Sequence, residues 1–142
     1  MNRMYIAKRL TKNLLLTFFI SSILTFFAIQ IYFSKDAGSL EGSQGIFITT
    51  LGSIFWILVL AASSLTIFLN LYDKIRLNKL YSALTFYLLP VLVAAIFFIK
   101  SGIEKEWDSF FVITILYFFT QTYFFVKFTK ANNETVVVRQ KN

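Results

Sequence analysis

Four stretches of the chain carry no charged side chain: Asn13 to Phe33, Ile46 to Tyr72, Leu80 to Ile99 and Ser109 to Val126. Each reaches the roughly 18 residues that a helix needs to cross a hydrocarbon core. Runs such as Leu14-Leu15-Leu16-Thr17-Phe18-Phe19-Ile20 do not alternate in polarity, as a spanning strand would. A helix satisfies its own backbone in lipid, so the pattern predicts helices over about 13–33, 46–72, 80–99 and 109–128. The expected fold is an all-α integral membrane protein, four transmembrane helices in an antiparallel bundle. Residues 1–130 form one four-span domain, and 131–142 a polar, disordered cytoplasmic tail.

The charges between the spans are sorted by side. Eleven of the 14 basic residues fall on the N-terminal flank (Arg3, Lys8, Arg9, Lys12), the second connection (Lys74, Arg76, Lys79) and the C-terminal end (Lys127, Lys130, Arg139, Lys141). The first and third connections hold Lys35, Lys100 and Lys105 with five of the seven acids. The positive-inside rule then puts both termini on the cytoplasmic side of a bacterial inner membrane. The net charge of +7 reads as a basic cytoplasmic rim facing anionic lipid, and no nucleic-acid partner is expected. Tyr5, Tyr72 and Tyr81 mark one interface, Tyr32 and Trp107 the other.

Within the spans, small and polar residues are the informative ones. Ser21 and Thr25 lie four apart on one face of the first helix. In the second, Ser53 and the run Ala61-Ala62-Ser63-Ser64 allow close approach of a neighbouring backbone. Ser53, Ala61, Ala62 and Ser64 are therefore expected to face other helices. Trp56 needs an acceptor for its N–H. The fourth span is dense in aromatics, and Phe124 is expected among those facing lipid. Gln121, between Thr120 and Thr122, is its most costly group and calls for an interhelical partner. Pro90 is the only proline. It predicts a kink and frees the carbonyl of Phe86, to be taken up by Thr85 or a neighbouring helix.

Composition narrows the chemistry. The chain is 57% apolar and 15% charged, against about 45–50% and about 25% for soluble domains. It has neither cysteine nor histidine, which removes thiolate chemistry and the commonest metal ligand and general base. No charged group lies inside a span, where ion-coupled transporters normally keep one. Glu104, Glu106 and Asp108 read as a solvated turn. No catalytic residue, metal or cofactor is expected.

In size and hydropathy the chain resembles the small four-span inner-membrane proteins that protect bacteria from pore-forming toxins or phage. The likeness covers the whole chain and implies an immunity-type or accessory protein, with no site residue carried over. The leading expectation is an interaction protein working through helix contacts, at Ser21, Thr25, Ser53, Ala61, Ala62, Ser64 and Gln121, with a membrane-protein partner or itself. The alternatives are a homo-oligomeric channel lined by the hydroxyls of the first two spans and a transporter or flippase for a lipid-linked substrate.

Overall fold

The computed structural model describes residues 3–32, 40–101 and 108–140, with side chains over 3–32, 43–100 and 109–132. Lys35, Asp36, Lys105, Glu104, Glu106 and Trp107, and most of the glycine-rich connection at 34–45, lie outside the described residues or side chains. All described regular structure is helical: α1 (Arg3–Tyr32), α2 (Leu40–Ser63), a 3₁₀ segment (Ser64–Leu71), α3 (Asp73–Arg76), α4 (Lys79–Ser101) and α5 (Asp108–Gln140). Four of these stretches are long and apolar enough to cross a membrane: Arg3–Tyr32, Ser43–Leu71, Lys79–Lys100 and Ser109–Asn132.

Each of the four long helices turns one narrow stripe inward. On α1 the buried residues are Ile6, Leu10, Asn13, Thr17, Ser21, Thr25 and Ile29, at helical spacings of three and four. The rest of α1 displays large apolar side chains, among them Leu15, Phe19, Ile23 and Phe27. Such a surface is out of place in water and suits a hydrocarbon solvent. α1 packs on α2 and α5, and the 3₁₀ segment packs on α4.

Two differences from the sequence pattern concern where helices end. The second span does not run as one α-helix to Tyr72. It tightens at Ser64, and the 3₁₀ turn then buries Ser64, Ile67 and Asn70, three residues apart on one edge. Tyr72, in extended conformation, ends the segment. Asn78 starts α4, its Oδ1 accepting from the N–H groups of Leu80 (3.0 Å) and Tyr81 (3.3 Å). The tail expected to be disordered from residue 131 continues α5 as helix to Gln140. No glycine or proline between Asp108 and Gln140 interrupts it.

Two apolar clusters occupy the interior. One gathers Trp56, Ile57, Leu60, Ala61, Ala94, Ile113 and Tyr117. The other gathers Ile6, Leu10, Ile67, Phe86 and Phe128. Between them fall the polar residues Ser64, at the start of the 3₁₀ segment, and Gln121 on α5, beside the turn of α4 that precedes Pro90.

Candidate functional site

The geometry of the polar layer follows from Pro90. A proline at that position has no N–H to offer the carbonyl of Phe86 one turn earlier. Gln121 on α5 replaces it: its Nε2 donates to the Phe86 oxygen. The other Nε2 hydrogen goes to Ser64 Oγ at 3.1 Å. Ser64 donates its own proton to the Leu60 carbonyl (3.0 Å), so the 2.8 Å contact with Tyr117 has the tyrosine as donor. A serine hydroxyl has one proton and two lone pairs, and all three are used here. Residues of α2, the 3₁₀ segment, α4 and α5 are thereby joined at one point.

The same turn of α4 is held a second time. Thr66 Oγ1 donates to the Thr85 carbonyl at 2.7 Å, and Asn70 Nδ2 donates to the Ile67 carbonyl (2.9 Å) and to Thr85 Oγ1. Thr85 passes its proton to the Ser82 carbonyl at 2.7 Å. The Phe86 carbonyl freed by the proline and the Thr85 carbonyl beside it thus both accept from neighbouring elements, a common resolution of proline in apolar helices.

A cavity of about 10 Å³ adjoins this node, bounded by Asn13, Thr17, Ser64, Tyr117, Gln121 and Phe124 among others. That is about the room one water needs. Above it, the inward stripe of α1 continues through Ser21 and Thr25, whose hydroxyls are buried without a hydrogen-bond partner. Ser53 turns back to the Thr49 carbonyl at 2.6 Å. Trp56 Nε1 finds its acceptor in Thr114 Oγ1 at 2.9 Å, while its ring lies 4.3 Å from that of Phe97.

Of the residues singled out by sequence, Ser21, Thr25, Ser53, Ala61, Ser64 and Gln121 are all buried within the single chain. They pack its own helices. Ala62 is not among them: it faces outward, one residue round the helix from Ala61, because a run of four small residues cannot all face one side. Phe124, expected on the outside, is 4% exposed and borders the cavity, whereas Phe119 is 76% exposed. With Thr85, the residues Tyr117, Asn13 and Asn70 complete the polar layer, and these three were not legible as site residues. Tyr117 looked like one more aromatic in an aromatic span. Asn13 and Asn70 sit near the span ends, where an amide ordinarily meets water.

The basic residues from three separate stretches gather at one end of the bundle. Arg9 donates to the Lys127 carbonyl at 3.1 Å and lies 5.9 Å over the Phe128 ring. Lys127 lies 6.0 Å over the Tyr123 ring. Arg76 pairs with Asp73. Arg3, Lys8, Lys12, Lys74, Lys79 and Lys130 are exposed. Among the described residues, no group of three or more acids is placed to hold a metal ion.

No protein-family model, curated protein or solved structure matches this chain. The arrangement itself is that of a polar lock inside a bundle of four helices long and apolar enough to cross a membrane.

Proposed function

We propose that this chain is a multi-pass protein of the bacterial inner membrane, with antiparallel spans and both termini cytoplasmic, that acts by helix contact with another membrane protein. Orientation rests on the eleven basic residues assigned to one side, for which the positive-inside rule is the physical argument. Phosphatase and fluorescent-protein fusions at Gly42, Asn78, Lys105 and the C terminus test it, and a periplasmic C terminus overturns it.

The contact reading is carried by one feature, the outward position of Ala62. The inner polar groups are buried within the chain, and what remains for a partner is the outer surface. On α2 and the start of the 3₁₀ segment that surface is a row of Phe55, Leu58, Ala62 and Leu65, all exposed. Alanine makes a dent between the two leucines where another helix can approach closely, the basis of association in lipid. Such a mechanism needs no charge in the membrane and no catalytic group.

Ala62→Leu should reduce recovery of the partner on purification from native membranes and leave thermal stability unchanged. Full partner recovery with Ala62→Leu overturns the assignment of this surface. Ion conductance of the purified chain in a planar bilayer, altered by Ser64→Ala, replaces the contact reading with a channel.

A further inference from the structure

We propose that the groove between the start of α4 and the end of α5 is a binding site for one anionic phospholipid. The groove has a volume of about 640 Å³, within the roughly 300–1,000 Å³ of typical small-molecule sites. Leu80, Ala83, Phe125 and Val126 make its apolar wall, and Lys79 and Lys130 stand at its rim. The wall is firm: the Phe125 ring is 5.1 Å from that of Phe86 and 5.6 Å from that of Tyr87. Ala83 sets its depth.

Charge complementarity identifies the occupant. Three other cations at this end of the bundle are engaged, Arg9 with Phe128 and the Lys127 carbonyl, Lys127 with Tyr123, Arg76 with Asp73. Among the described residues, Lys79 and Lys130 make no ion pair or ring contact, and no acid lines the groove with them. Two ammonium groups over an apolar trough match a phosphate carried on an acyl chain, the pattern of basic pockets between spans. The motif recurs on α1, where Lys8 and Lys12 flank a second trough walled by Leu15 and Phe19. Of these two, the α4–α5 groove draws its lysines from different helices, so there the lipid bridges two spans.

This inference rests on the membrane reading and is independent of the protein partner. Native mass spectrometry of the detergent-solubilised full chain, titrated with phosphatidylglycerol or phosphatidylcholine, tests it. Phosphatidylglycerol should be retained preferentially, and Lys79→Gln with Lys130→Gln should weaken that retention about 25-fold, on a rim effect of about 5-fold per lysine. Ala83→Trp, which fills the trough and keeps both charges, should weaken retention of either lipid. Lys74→Gln should have no effect. Equal loss on Lys74→Gln, or unchanged phosphatidylglycerol preference in the double variant, overturns the site in favour of diffuse attraction. Inability of glycerol phosphate to compete supports a chain-and-headgroup site, and full competition overturns it. A chain that stays soluble without detergent refutes the membrane reading instead.

Discussion

Gln121 reaches from α5 to the carbonyl of Phe86 on α4, the acceptor that Pro90 leaves without its helical N–H. The proline and the glutamine are two halves of one feature. Each alone is a defect in an apolar helix: a missing backbone bond in one, a buried amide in the other. Together, with Ser64 and Tyr117, they fix how three helices stand against one another.

The pairing predicts a measurable coupling. Gln121→Leu should cost about 1–3 kcal/mol, because it strips the Phe86 carbonyl and Ser64 of a donor at once. In a Pro90→Ala background the restored N–H serves Phe86, and the same substitution should cost less by about 1 kcal/mol. A double-mutant cycle by denaturation in mixed micelles gives the number. Strict additivity would separate the two residues.

Small-residue packing makes an ordering. Ala61 is 6% exposed and set in the core with Trp56 and Tyr117, so Ala61→Leu should overpack by about 1–3 kcal/mol. Ala62→Leu and Phe119→Ala, on the outer surface, should leave the melting temperature nearly unchanged. Phe124→Ala, which opens the wall of the internal cavity, should lower it clearly. Thermal melts of the four variants in one detergent check the order.

How much of this was readable beforehand follows from what each signal measures. Charge-free length marks the spans, since each residue of a spanning helix must meet the same apolar solvent. The freed Phe86 carbonyl and the demand of Gln121 for a partner were both legible, because each is a local rule about one residue. That they answer each other was not, because the partner lies 35 residues away. Phe124 was misplaced, and the outward turn of Ala62 went unread, for a related reason. When a helix is apolar all round, periodicity no longer says which face turns inward, and only the packing of α1 and α4 decides it. The 3₁₀ segment left no mark in composition, and the uninterrupted helix beyond Lys130 was read from polarity when the relevant signal was the lack of a stop.

Trp56 offers a spectroscopic reading of the α2–α5 contact. Thr114→Val removes the acceptor of its N–H while keeping the shape of the side chain. In a Trp107→Phe background, where Trp56 is the only indole, its emission should shift to shorter wavelength. Stability should fall by about 1 kcal/mol. An unmoved spectrum would mean that the indole N–H has another acceptor.

The 3₁₀ segment makes the sharpest local prediction, since two helix types place different residues inward. At 120° per residue Ser64, Ile67 and Asn70 share one edge, and they are the buried residues of the segment. At the 100° of an α-helix, positions 68 and 71 would fall within about 40° of Ser64, and Asn70 would turn about 120° away, out of reach of Thr85. In the structure Phe68 and Leu71 are half-buried and Asn70 is 0% exposed. The native chain has no cysteine, so single cysteines at 65, 68, 69 and 71 can each carry a spin label without touching Asn70. Accessibility to dissolved oxygen should be high at 65 and 69 and intermediate at both 68 and 71. Protection of 68 and 71 together would show an α-helical turn in the membrane. Asn70→Leu removes the hydrogen bonds to Thr85 and to the Ile67 carbonyl that favour the tight turn. In that background the labels at 68 and 71 should move toward protection, as the segment relaxes to the commoner helix. If Asn70→Leu leaves both accessibilities unchanged, the 3₁₀ turn is held by packing against α4 and not by the amide.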